Sequence, residues 1–373
     1  MSIAFPFRKV WKETKAMEGF ERKRTVVIVG GGIAGAQLAK SLEQIVDVIL
    51  IDPKEYFEIP WANLRSRVEP AFAERSVINH KDYLKKGKVI VSNAVDVTEQ
   101  GVVTAEGRRV PCDYLVIATG HPYTTIRSRR DRLEKFQEDN QKIICSSSIM
   151  IVGGGATGVE LAGEIAVDFP DKKLTLVHRG QRLLPFIGQR ASAKALEWLK
   201  SKNVKVLLEQ SIDVESISES DREFKTSAGE IVRADSYFLC VGKPIGSAWL
   251  RNSILKEYLD RHGRLMVDEN FRVGGLSNIF AVGDITDIPE LKQGLTAQRH
   301  AVIVAKNLKM LVKGVDGCKL VRYKPAHPQA WISLGRRDAL VQYSFITVSG
   351  FVPGMFRSRD LFIGRMRKAL GLE

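Results

Sequence analysis

The stretch that decides the fold is Thr25–Gly35, TVVIVGGGIAG, where an apolar, β-branched run leads straight into Gly30-x-Gly32-x-x-Gly35. Each glycine has a physical task. Gly30 makes the tight turn at the strand end, Gly32 leaves room for a pyrophosphate against the backbone, and Gly35 lets the following helix pack close to the sheet. The free N–H groups and partial positive charge of that helix N-terminus suit phosphate. The next apolar run, VDVILID, closes on Asp52, the spacing at which a carboxylate accepts hydrogen bonds from a ribose. Strand, glycine turn, helix and acid together predict a dinucleotide site, with Lys54 just beyond the acid.

The same pattern returns. Ser148–Glu164 reads SIMIVGGGATGVELAGE, with Gly153-x-Gly155-x-x-Gly158 after an apolar strand. Two other apolar strands end in glycine: YLVIATG at Thr119-Gly120 and FLCVGKP at Gly242. Gly30 to Gly153 spans 123 positions and Gly120 to Gly242 spans 122, so two separate landmarks share nearly one offset. That is the mark of a duplicated nucleotide-binding unit. The copies differ at the ribose position, where the second has His178-Arg179 in place of Asp52. An acid there repels a 2′-phosphate, whereas Arg and imidazole accept one, so the second site is expected to tolerate NADPH beside NADH. A solvated turn residue is the plainer reading of Arg179.

Composition narrows the chemistry. The 373 residues are 44% hydrophobic and 27% charged, enough for two or three cored domains. Cys112, Cys145, Cys240 and Cys318 are scattered without a CxxC pair. That argues against a disulfide framework, a zinc site or a dithiol-using flavin reductase, and reads the four thiols as small buried hydrophobes. No apolar run is long enough to span a bilayer. Net charge is +14, of which residues 1–24 carry +4 and residues 311–373 carry +7, leaving +3 between them. Basic ends on a near-neutral body point to a surface-binding device. A nucleic-acid partner is disfavoured, for no basic groove interleaved with aromatics is evident.

Two nucleotide sites without a dithiol suggest a relay, with a flavin in the first taking a hydride from a nicotinamide in the second. Glu160, one turn into the second helix, is placed to contact the reacting rings and to relay a proton; a plain helix N-terminal acid is the alternative. Asp284, in IFAVGDI, suits a cofactor hydroxyl, and LTAQRHAVIVAKNLKML after it reads as a helix whose N-terminal dipole can face a flavin. His300 and His327 are titratable but read as structural. In PKEYFEIPWANLRSRVEPAF, Tyr56, Phe57 and Trp61 serve either a cofactor-side loop or ordinary core. Phe5, Phe7, Val10 and Trp11 sit among basic residues in an extension expected to be only partly ordered.

At the C-terminus, Pro353-Gly354 marks a turn, Ser358 a cap and Gly371 a helix stop. Phe362, Met366, Ala369 and Leu370 share a face of that helix and basic residues flank it, the pattern of an interfacial amphipathic segment. Docking on the chain's own domain or on a second copy is the alternative.

In this order, VVIVGGGIAG…VILID, YLVIATG, IVGGGATGVELAGE, FLCVGKP and IFAVGDI resemble the two-dinucleotide-binding-domain flavoproteins. PKEYF, the GVE after the second glycine motif and the closing RSRDLF are similar to the ferroptosis-suppressor (apoptosis-inducing-factor-like, mitochondrion-associated) oxidoreductases, plant-type members in particular. The resemblance implies an α/β fold of two Rossmann-like domains with a smaller C-terminal domain, and an FAD-dependent NAD(P)H:quinone oxidoreductase acting on ubiquinone-like or vitamin K-type lipid quinones at a membrane. It places FAD on Gly30, Gly32, Gly35, Asp52 and Asp284, and the nicotinamide dinucleotide on the second motif. It also supports Glu160 near the reacting rings and the C-terminal segment at the quinone entry.

The resemblance further implies peripheral association with the cytoplasmic face of membranes or lipid droplets, or with mitochondria or plastids. Two departures stand out. Ser2 replaces the glycine that myristoylation needs, and Arg357 stands where members carry Lys before SRDLF. Arg stays charged, so it can hold charge near a flavin but is a poor proton donor. The resulting division is an extension at 1–24, an FAD domain at 25–120 and 235–310, an NAD(P)H domain at 121–234, and a C-terminal membrane and quinone region at 311–373.

Overall fold

The computed structural model describes residues 22–373 apart from Tyr123 and Ala326, so the apolar face read at Phe5–Trp11 lies outside the described residues. The TVVIV run is the centre of a five-stranded, wholly parallel sheet in the order Ile279–Ala281, Tyr114–Ile117, Thr25–Val29, Asp47–Asp52, Lys88–Val91. Val26, Val27, Ile28, Leu50, Ile51, Val116 and Ile117 are fully buried. A continuous apolar run is what a parallel strand covered on both faces requires. The helices Ile33–Leu42 and Gly294–Val312 cover one face and pack on each other.

A second parallel sheet repeats this plan in the order Lys205–Leu208, Lys173–His178, Ser148–Val152, Ser236–Leu239, with Ala156–Asp168 as its first helix. The strand Ser236–Leu239 pairs with Ser148–Val152, so the second unit runs past 234 and takes in the strand leading to Gly242. The expected boundary at 234/235 therefore moves downstream. The reason is the duplication itself, for this strand repeats Tyr114–Ile117 of the first sheet.

The third unit is an antiparallel sheet, Gln329–Leu334, Asp338–Tyr343 and Ile346–Gly350, followed by the helices Phe351–Arg357 and Ile363–Ala369. Pro353-Gly354 lies inside the first of these helices rather than in a turn, because proline is tolerated where a helix N–H has no partner anyway. Ser358 closes that helix instead of opening the next, which starts after Phe362; Gly371 ends it at φ +70°. The expected interfacial stripe is also corrected. Met366 and Leu370, with Ile363, are buried in the core of the first domain, and Phe362 is half-buried. Two of the four stripe residues are thus spent on the chain's own core, while Ala369 stays exposed.

Arg65 ties the three units. It is 1% exposed, donates through Nε and Nη2 to Glu164 at 3.0 and 2.8 Å, and through Nη1 to the Ser358 carbonyl at 2.6 Å. First domain, second domain and C-terminal unit meet on one guanidinium.

Candidate active site

The duplication is visible atom by atom at the two glycine turns. Gly30 N–H donates to the Ile51 carbonyl and Gly153 N–H to that of Val177, each at 2.8 Å. A Cβ on Gly35 would run into the Gly30 carbonyl, and one on Gly158 into that of Gly153, so only glycine allows this strand and helix to meet. In the first copy Asp52 accepts from Gly31 N–H at 2.5 Å and from Lys54 N–H at 2.7 Å. Burial opposes its ionisation, yet Lys54, His80 and the Gly31 N–H outweigh it and hold the carboxyl below its ordinary value. In the second copy His178 Nδ1 accepts from Gly154 N–H at 3.1 Å, the place the carboxylate takes in the first. The imidazole thus substitutes for Asp52 structurally. Burial lowers its pKa, which favours the neutral ring and leaves Arg179 as the exposed cation of that loop, Arg182 being turned onto the Pro185 and Ile187 carbonyls.

Two cavities join across these units. The smaller, about 250 Å³, is lined by Gly30, Gly32, Asp52, Lys54, Thr119, Gly120, Asp284 and Gly294. The sequence-predicted residues of the first site thereby converge, Gly35 acting behind the wall as a packing residue. Its walls fit FAD: space stands open where a Gly32 Cβ would sit, and the buried Thr119 Oγ1 has no protein partner. Gly294 and Ala297 bring the helix N-terminus to the same wall, as its dipole requires.

The larger cavity, about 1560 Å³, shares His121, Asp284 and Gly294 with the first and continues to Glu160, Gly242, Trp331, Phe356, Arg357 and Phe362. His178 and Arg179 lie outside both cavities, as do Gly153, Gly155 and Gly158; Gly155, like Gly32, faces open space.

Glu160 and Arg357, nearly 200 positions apart, form the polar centre of the larger cavity. Arg357 Nη2 donates to Glu160 Oε1 at 2.9 Å, and Ser333 N–H donates to the same oxygen at 2.8 Å. The guanidinium lies 6.0 Å from the Trp61 ring and 5.5 Å from that of Phe362, within cation–π range. Arg357 Nε is buried without a protein partner. Burial pushes the Glu160 carboxyl above its ordinary value, against the opposing pull of Arg357 and the Ser333 N–H. The pair offers a protonatable carboxyl beside a fixed cation, walled by flat aromatic faces.

Sequence reasoning missed Ser333, Trp331 and His121. Ser333 and Trp331 sit on a strand whose only local signal is alternation, and His121 shows itself only by its 3.1 Å contact with Asp284. The thiols need correction too. Cys112 is buried, with its pKa pushed up to about 12 by burial, and Cys240 reaches about 11, but Cys145 and Cys318 are exposed.

Comparison with known proteins agrees with this geometry. Residues 24–301 match the pyridine nucleotide-disulphide oxidoreductase family. Apoptosis-inducing factor homolog B of Dictyostelium discoideum is 31% identical, over 92% of this chain and 96% of the relative. Ferroptosis suppressor protein 1 of Homo sapiens is also 31% identical, over 92% and 95%. Among solved structures, the sulfide:quinone oxidoreductase of Aquifex aeolicus superposes with a TM-score of 0.75 at 17% identity, covering 93% of this chain and 92% of that one. NDH2 of Plasmodium falciparum, solved with NADH, gives 0.71 at 16%, covering 94% and 97%. The chain belongs to the pyridine nucleotide-disulphide oxidoreductase family, as a homologue of the apoptosis-inducing-factor homologues and ferroptosis suppressor protein 1, and is an FAD-dependent oxidoreductase that uses NAD(P)H.

Proposed function

We propose that this chain is an NAD(P)H:quinone oxidoreductase that meets a lipid quinone at a membrane surface. The observation that carries the reading is the Glu160–Arg357 pair, set between aromatic walls in a cavity whose rim residue Phe356 belongs to an exposed apolar surface. FAD, when bound, would supply the redox chemistry, carrying two electrons from NAD(P)H to the quinone, which needs one proton besides the hydride's hydrogen to become the quinol. On this reading Asp52, Thr119 and Asp284 hold the cofactor's hydroxyls, and Lys54 and the Gly30–Gly32 turn hold its phosphates. Trp61, Trp331 and Phe362 would give a planar ring an apolar wall, Trp331 and Phe362 standing edge to face with centroids 6.0 Å apart. Arg357 would hold negative charge, which its permanent ionisation suits, and Glu160 would supply the proton that Arg cannot.

The membrane-facing element is not the expected terminal stripe. It is the hairpin and helix where Phe345, Ile346, Val348, Phe351, Val352, Met355 and Phe356 stand exposed, Phe345 at 88%. Seven exposed apolar side chains within residues 345–356 mark an interaction surface. Burying three such rings is worth about 1.5–3 kcal/mol each, comparable in sum with one acyl chain. No helix among the described residues is long and apolar enough to cross a membrane. A lipid or lipid-droplet surface approached from one side suits this geometry, and the same patch could instead pair two copies.

The test is steady-state turnover of FAD-loaded protein, crossing NADH and NADPH with short-chain ubiquinone and menadione. Stoichiometric quinol formation is expected. Flavin that is bleached by nicotinamide but not reoxidised by any quinone would overturn the reading.

A further inference from the structure

The Gly283–Asp284 turn stands between the two cavities, and its conformation is unusual: Gly283 has φ +78°, which a side chain would resist. The Gly283 N–H does not pair with backbone. It donates to His300 Nδ1 at 3.0 Å, inside a fully buried ring. His300 Nε2 in turn lies 2.6 Å from Glu290 Oε1, and the Tyr323 hydroxyl donates to Glu290 Oε2 at 2.7 Å.

These bonds leave one consistent assignment of protons. A backbone N–H must meet a bare nitrogen, so Nδ1 carries no hydrogen and Nε2 carries it. Glu290 is the acceptor that stabilises this tautomer. Burial works against its ionisation, but the bonds from His300 and Tyr323 outweigh burial and keep the carboxyl below its ordinary value. Phe271 closes the cluster, its ring 4.5 Å from His300 and 5.0 Å from Tyr323. The other charges near it are Lys292, which acts on Glu290, and Arg299, which acts on Tyr323.

We propose that Tyr323, Glu290 and His300 form a hydrogen-bond relay that positions the Gly283–Asp284 turn and thereby governs how tightly FAD is held. It rests on the reading that Asp284 contacts FAD. Tyr323 lines the larger cavity, so the relay links the acceptor side of the molecule to the cofactor turn. These are positioning residues. The relay ends at a backbone N–H, which cannot pass a proton on, so its work is to hold the turn and to select one imidazole tautomer.

The experiment measures FAD release from full-length holoprotein by the rise in free-flavin fluorescence after dilution. An Asn at 300 places its side-chain oxygen where Nδ1 lies and can still accept from Gly283, whereas Gln reaches towards Glu290 and abandons Gly283. His300→Asn is therefore expected to stay within about threefold of the parent, and His300→Gln to release FAD about tenfold faster, the scale of one buried donor left unpaired. Tyr323→Phe removes only a hydroxyl and keeps the fold testable; about threefold faster release is expected. Equal release from the Asn and Gln variants, or unchanged release in Tyr323→Phe, overturns the relay. Asp284→Ala separates the two ideas. If it loosens FAD while the His300 and Tyr323 variants do not, the relay fails alone; if it leaves release unchanged, the placement of FAD on Asp284 fails as well.

Discussion

Glu160 and Arg357 are both nearly closed off from water, at 8% and 6% side-chain exposure, with carboxyl and guanidinium in direct contact. Such a pair gains little stability and is costly to break from one side, so its value lies in what it does. If Glu160 is the proton donor, turnover falls as pH rises through its elevated pKa, because the donor is then already ionised. Glu160→Gln is expected to lower kcat by about 10²–10⁴-fold and to flatten that alkaline limb in a pH–rate profile. The same shift sets a stability slope. Above about pH 4.3 the unfolded chain has shed a proton that the folded chain keeps, so stability declines with rising pH until the folded pKa is passed. At the second glycine turn the prediction concerns one charge. Arg179 is exposed beside a neutral His178, so Arg179→Glu should cut the NADPH/NADH ratio of kcat/KM by about tenfold, and an unmoved ratio makes Arg179 a solvated turn residue.

At the scale of elements, Arg65 decides how three packed units hold together. The helix Asn63–Val68 delivers it, and the helix Ala156–Asp168 and the end of Phe351–Arg357 receive it. Arg65→Met leaves the Glu164 carboxylate, 1% exposed, without its two hydrogen bonds and with only Arg336, 4.0 Å away, as a cation, and should cost about 3 kcal/mol in urea unfolding. Adding Glu164→Met should recover most of that, since both charges then leave together. A full-sized loss in the double variant would show that packing, not charge, is at stake.

The whole molecule presents one face that is both apolar and close to the cavity mouth. Phe345 and Phe351 project from it without lining the cavity. Phe345→Ser with Phe351→Ser should therefore abolish flotation with liposomes while turnover of a short-chain quinone persists. If flotation survives, membrane contact lies elsewhere; if the double variant instead changes from dimer to monomer, the patch joins two copies. The terminal stripe is ambiguous in the sequence for a physical reason. Periodicity says that Met366 and Leu370 need an apolar partner, but not whether that partner is lipid or the core of the first domain.

The sequence alone determined what is local and repeated: two strand–glycine–helix units, the acid in one and the histidine in the other, and four cysteines without a CxxC pair. Steric demands at a glycine turn act over a few residues, so a motif can record them. What joins Glu160 to Arg357 and Ser333, Arg65 to Glu164, or His300 to Gly283 is separation along the chain closed by packing, and no local pattern encodes it. Tertiary structure therefore decided which carboxyl is buried beside a cation, which apolar face is left bare, and which histidine holds a turn, because burial and pairing are properties of neighbours brought together only by the fold.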